Sequence, residues 1–290
     1  MKTTNIIPPL LSRANRVLFA VFVTLLISVW GVLSLSFSID EYRQLLYQAT
    51  RESGFYEWLT VLAGLCITAV AFMHIRNTRK GVKHILPIPL LWLFAATGIL
   101  GSLEEISWGQ HIFGFESTGV FKEHNMQEET NLHNFVSQEY VNLLMQGSVY
   151  IVFIFLPILV YLNTRPFINL LPNYLLRLTP SLKTIGVFII SCSFQDYFRK
   201  ETLVDTSLVW TVSFLYLISL AINSGKIKLE EWFVCVLLVI TLLLTVICDP
   251  IFEYNNMQYE IRELFILIGF LFWFLEVGTQ EKYNAIDKHQ

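Results

Sequence analysis

The chain has 290 residues, 54% of them hydrophobic and only 15% charged, with a net charge of −3 and a mean hydropathy of +0.55. Soluble domains carry about 25% charged residues, so this composition excludes an ordinary soluble enzyme, and the acidic balance argues against a nucleic-acid partner. The fold expected is an all-α, polytopic integral membrane bundle in a lipid bilayer, a single transmembrane domain over residues 1–290.

In chain order, the lead MKTTNIIPPLLSRANR is polar, and no A-x-A-like cleavage site follows the first apolar run. That run reads as a retained membrane helix. Eight spans are predicted: Val17–Phe37, Phe55–Ile75, Ile85–Leu103, Val141–Leu162, Leu182–Phe198, Leu203–Ile222, Trp232–Cys248 and Ile261–Leu275. Most approach the ~20 residues that a bilayer requires. The fifth has a short apolar part, TIGVFIISCSF, compatible with a re-entrant or buried segment, and RPFINLLPNYLLRLTPSLK before it reads as interfacial. Cys66, Cys192, Cys235 and Cys248 fall inside apolar runs without metal-type spacing and read as small buried hydrophobes.

With eight spans, Lys183 snorkelling to the basic side, 14 of the 20 Lys and Arg fall on the side of both termini. Both termini are therefore expected in the cytoplasm. Of the 23 Asp and Glu, 18 lie on or next to the other side, as do His111, His124 and His133.

The third span ends in EEISWGQHIFGF, Glu104 to Phe115. Continued as a helix, this places Glu104, Trp108 and His111 on one face, with Glu105 turned about 100° away. Gly109 allows close approach, and Gly114 is a natural stop. In the following segment, Asn125 and Glu128 resemble an N-cap and its acidic N3 partner, and a helix starting there places Glu129 and His133 one turn apart. The predicted result is an outer-face polar hairpin over about 104–140, with three of the six His.

Glu and neutral His are ligands for zinc, iron or manganese, and two facing helices can share one ion. Candidate ligands are Glu104 or Glu105, His111, His124, Glu129 and His133. No H-E-x-x-H or H-x-x-x-H pattern is present. Helix caps and interfacial ion pairs, with Trp108 as an aromatic anchor, explain the same residues without a metal. Glu57, Asp196 and Glu263 also fall at the outer ends of spans, where a carboxylate must face the bundle interior or water. Arg262 is expected to pair with Asp249 or Glu253. His74 and His84 flank a basic turn that reads as a headgroup contact, and Glu230 and Glu231 read as helix-start residues.

ESGFYEWLT (Glu52–Thr60), EEISWGQHIFGF and HNMQEETNLHN (His124–Asn134) resemble signature segments of a group of bacterial multi-pass membrane proteins, chiefly in the first half of the chain. The resemblance brings no reaction with it. It implies Arg at the position of His111, which weakens His111 as a ligand and shifts weight to Glu104, Glu105, Asn125, Glu129, Asn131 and His133.

The functional expectation is an outer-face site for lipid or a lipid-linked substrate in the bacterial cytoplasmic membrane. Glu104, Glu105 and His133 are its catalytic candidates. Glu57, Trp108, Gln110, Asn125, Asn131 and Glu263 are its binding candidates. Glu105, Glu129, His133 and His124 are the metal candidates. A metal would lower the pKa of bound water, and a His–Glu pair alone can move protons. Two other readings stay open: an ion-coupled carrier using Glu57, Asp196 and Glu263, and a scaffold that binds a membrane protein through the hairpin.

Overall fold

A computed structural model of the chain describes residues 7–51, 54–79, 84–124, 130–132, 135, 144–163, 168–195, 197–198, 203–252 and 257–277. Among these residues the regular structure is entirely helical. The long elements are α1 (Ile7–Ser36), α2 (Asp40–Thr50), α3 (Phe55–Arg79) and α4 (Ile88–Glu105). Two short helices follow, α5 (Gln110–Phe113) and α6 (Val120–His124), then α7 (Leu144–Tyr161). The second half contains α8 (Asn173–Leu178), α9 (Leu182–Cys192), α10 (Leu203–Ile222), α11 (Leu229–Ile247), α12 (Asp249–Phe252) and α13 (Met257–Val277).

Among the described residues, six stretches are long and apolar enough to cross a membrane: Leu11–Ser36, α2 with α3 (Asp40–Arg79), Ile88–Glu105, Leu144–Tyr161, Leu203–Ile222 and Leu229–Ile247. Several hydroxyls within them bond back to their own helix. Thr24 donates to the Ala20 carbonyl and Thr97 to that of Leu93, both at 2.9 Å. Such back-bonding is how an apolar span tolerates Ser and Thr.

The expected spans α9 and α13 are the centre of the bundle. Every residue of α9 is buried, as are 16 of the 21 in α13. α9 stops at Cys192 rather than continuing to Phe198. Its start is fixed by Ser181, whose hydroxyl accepts from the Thr184 N–H, and by the Glu276 carboxylate, which accepts from the Ser181 N–H and the Ser181 and Thr184 hydroxyls. A carboxylate at a helix N-terminus is favoured by the exposed N–H groups and the dipole.

α3 and α4 pack most intimately. A Cβ on Gly98 would lie 2.6 Å from the Gly64 carbonyl oxygen, so only glycine permits this crossing. Thr68 and Ser102 then reach across it, donating to the Ala95 and Val61 carbonyls at 3.2 and 3.0 Å. This is the small-residue packing typical of membrane helices. α13 lies along the other side of α3 and against α9.

Contacts define two ends of the bundle. Glu105, Gln146, Tyr197, Cys248 and Arg262 mark the acidic end. Asn15, His74, Lys183, Asn223, Glu230 and Glu276 mark the basic one.

Two expectations at the basic end require correction. His74 is 1% exposed and its ring lies 4.3 Å from that of His84 and 5.3 Å from that of Phe274. It is packed against the α13 helix, so it is an interior residue and not a headgroup contact. Lys183 is buried too. It donates to Asn15 at 2.6 Å and pairs with Glu230 at 3.2 Å, so its charge is met inside the protein. Glu231 starts α11 as expected, accepting from the Lys228 N–H at 2.8 Å.

Candidate functional site

The helical continuation through EEISWGQHIFGF does not form. α4 ends at Glu105, and Ser107, Trp108 and Gly109 have φ of 46°, 53° and 95°. Three successive left-handed residues turn the chain sharply, and two of them carry a Cβ that disfavours this conformation by about 1–2 kcal/mol each. A short helix α5 follows and ends at Gly114, φ 67°, the expected stop.

Side chains hold this turn against the segment that follows the hairpin. Glu104 accepts from the Trp108 indole N–H and from the Leu132 N–H, both at 2.6 Å. Gln110 Oε1 accepts from the Thr130 N–H at 2.7 Å and the Ser117 hydroxyl at 3.3 Å. Asn131, 1% exposed, donates to the Ser107 hydroxyl at 3.2 Å. The two sequence segments therefore meet as expected, at 104–110 and 130–132, but through a knot of loop contacts rather than two helix faces. Glu104, Trp108, Gln110 and Asn131 are engaged in it. Trp108 remains 43% exposed, as an interfacial aromatic would be.

Glu105 points elsewhere. It lines a cavity of about 260 Å³ between α3, α4 and α13, together with Thr60, Gly98, Ser102, Met145 and Glu263. The rest of the wall is mostly apolar, formed by Ile67, Phe94, Ile266, Leu267, Phe270 and Phe274. So the separation of Glu104 from Glu105, read from the helical turn angle, is realised. Glu105 instead shares a cavity wall with Glu263, from a helix 158 positions later. Glu57 is half-buried in the first turn of α3, one turn before Thr60.

Asn125, Glu129, His133 and Asp196 lie outside the described residues, as do the side chains of His111 and His124. Among the described residues there is no group of three or more His, Cys, Asp or Glu placed to hold a metal.

A second polar centre was not visible in the sequence. Arg262 is 2% exposed, with its guanidinium 4.6 Å from the Tyr259 ring centre and hydrogen-bonded to the Gln146 amide oxygen. Gln146, not singled out from the sequence, is thus a partner of Arg262. Asp249 is buried and accepts from the Tyr197 N–H; Glu253 is outside the described residues. α7 carries a π-helical stretch, Val149–Phe155, close to this centre. Such stretches often accompany functional sites. The only sequence signal for Gln146 was an amide inside an otherwise apolar span.

In comparisons with known proteins, the chain matches no family model, no curated protein and no solved structure.

Proposed function

We propose that the protein acts on a lipid or lipid-linked molecule at the outer face of the bacterial cytoplasmic membrane, with both termini cytoplasmic, eight passes, and membership of the group its signature segments resemble. The observation that carries this reading is the presence of both Glu105 and Glu263 in the wall of one mostly apolar cavity. An apolar chamber with two carboxylates suits a molecule whose chain is buried while its polar part meets acid/base groups. The hairpin knot positions Glu105 by fixing the end of α4. A divalent metal, zinc or iron/manganese, would use Glu105 with His133, Glu129 and His124.

The test is the lipid profile of membranes expressing the wild type, Glu105→Gln or Glu263→Gln, with melting temperature as the folding control. Wild type should change the abundance of one lipid class, and each variant should lose that change by roughly a hundredfold or more in turnover. An unaltered lipid profile with wild type would remove the enzyme reading. Solute uptake that depends on Glu263 would replace it with a carrier. Metal content of wild type against His133→Ala and Glu105→Gln tests the metal separately. Wild type without metal removes it, and variants that keep full metal content show the ligands to be wrong.

A further inference from the structure

The cavity between α3, α4 and α13 has a fixed length and a way in, and both follow from the helices that build it. Its wall runs down α4 from Glu105 to Phe94 and down α13 from Glu263 to Phe274, eleven residues on each helix. Each stretch is about 16 Å along its axis, so the long direction of the cavity lies parallel to the helices. Below the acidic end the wall is mostly apolar.

The deep end is shut by aromatic rings. Phe94 lies 5.1 Å from Phe274 and 5.8 Å from Trp273, centre to centre, and all three line the cavity. The Trp273 indole N–H donates to the Leu178 carbonyl at 2.7 Å, which fixes its ring. His74 packs against Phe274 from outside the cavity. These rings form a floor that cannot recede without losing its own contacts.

The cavity opens on its side. At about 100° per residue, Thr97 and Gly101 fall on α4 between the buried Gly98 and Ser102 and the exposed Leu93 and Leu100. Both line the cavity and both are exposed. On α13, Glu263, Leu267 and Phe270 form one stripe that lines the cavity and is partly exposed, whereas the rest of this helix below Glu260 is buried. A slit therefore runs beside α4, and its rim is lowest at Gly101, which has no side chain. Thr97 is eight residues from Glu105, about 12 Å below the acidic end. At that depth an exposed face of a membrane helix meets lipid tails and not water.

Resting on the reading above for the outer-face orientation and the lipid substrate, we infer that the cavity is a measuring site for one hydrocarbon chain. The chain enters sideways from the outer leaflet, past Thr97 and Gly101, and ends on the Phe94–Phe274 floor. The distance from the acidic end to the floor is that of an extended chain of about twelve carbons. A longer chain must overpack the floor or leave its polar end outside. Phe94 and Phe274 thus determine which chain lengths fit, and Gly101 determines whether a chain enters. Shape alone sets this selection, so it applies equally to a neutral head group.

The experiment is photolabelling of the full-length protein in liposomes with octyl, dodecyl and hexadecyl alcohols bearing a diazirine at the chain end, followed by mapping of labelled peptides. The dodecyl probe should label the floor, at Phe94, Trp273 or Phe274, roughly tenfold or more above the hexadecyl probe. The octyl probe should label higher in the cavity, at Leu267 or Phe270. Phe94→Ala should move the optimum for labelling Trp273 and Phe274 to the longer chain, and Phe94→Leu, which keeps more of the packing, should move it the same way by less. Gly101→Phe should abolish labelling of the floor by every probe. A Cβ at Gly101 meets nothing within 4 Å, so this variant can fold, and an unchanged melting temperature confirms that it has. Floor labelling that is equal for the three lengths overturns the proposal, as does label confined to lipid-facing residues such as Leu93 and Leu100. An unmoved optimum in both Phe94 variants removes the measuring role of the floor, and undiminished labelling in a folded Gly101→Phe overturns the lateral entry. If the length dependence holds while wild type leaves the lipid profile unaltered, the enzyme reading falls and this site stands. A changed lipid profile without length-dependent labelling removes this site alone.

Discussion

His84 shows how one residue departs from its sequence setting. Its neighbours in the chain are basic, which suggests a solvated turn. Its side chain is instead partly buried against His74, and its Nδ1 accepts from the Leu86 N–H at 3.0 Å. Burial pushes its pKa below the ordinary value of 6.5. A depressed histidine pKa means the unfolded chain takes up a proton that the folded protein refuses. Stability should therefore fall as pH drops below about 6.5, and stop falling once the folded pKa is passed. Melting temperatures between about pH 7 and 5 should decline in wild type, and decline less in His84→Asn, which keeps an acceptor for Leu86. An identical slope in the two proteins would exclude His84 as a source of the effect. The sequence could not reveal this environment, because the contact with Phe274 joins positions 74 and 274 through tertiary packing.

At the scale of elements, the α3–α4 crossing gives the sharpest mutational contrast. Gly98 and Gly101 are one turn apart on the same helix and equally unremarkable as letters. Gly98→Ala forces a methyl against the Gly64 backbone and the Thr68 side chain. Backbone has no rotamer to yield, so the helices must separate, and the two cross-helix hydroxyl bonds lengthen. A loss of about 1–3 kcal/mol is expected, seen as a lower melting temperature. Gly101→Ala meets nothing and should be neutral or slightly stabilising, since Ala is a better helix former. Equal effects would mean the helices do not cross at Gly98. Helix positions were largely legible in the sequence, since runs of apolar residues bounded by Pro87, Gly114 and charged caps need no tertiary information. Which helix lies at the centre was not. A lipid-facing helix and a buried one are both apolar all round, so α9 and α1 look alike by composition. The hairpin contact was legible because its two walls are close in sequence. The presence of Glu105 and Glu263 in one cavity wall depends on how α13 is laid against α3, and no local pattern encodes that.

For the whole molecule, the decisive question is whether α9 counts as a crossing. Eleven residues of helix span about 16 Å, roughly half of a ~30 Å hydrocarbon core. Yet the contacts of this segment run from one end of the bundle to the other. Ser181 and Thr184 are bound to Glu276 at the basic end, and Phe194 stacks on Phe265 at 5.6 Å towards the acidic end, where the Tyr197 N–H reaches Asp249. Non-helical backbone is tolerated at membrane depth when it is buried in protein. Ser193, Phe194 and Gln195 are all buried, so a half-length helix can continue its passage as irregular backbone shielded by protein. In the proposed eight-pass arrangement, in which α13 also crosses, five passes then lie between Glu116 and the C-terminus, which puts them on opposite sides. Without α9 there are four, which puts them on the same side. Single reporter tags at Glu116 and at the C-terminus decide between the two. An external signal at Glu116 with a cytoplasmic one at the C-terminus is expected. Signals on one side would reduce α9 to a re-entrant element and reverse the orientation of every helix after it. Asn15 and Lys183 would still share one end, but Glu230, paired with Lys183, and Glu276, bonded to Ser181 and Thr184, would then sit on the wrong side of the membrane.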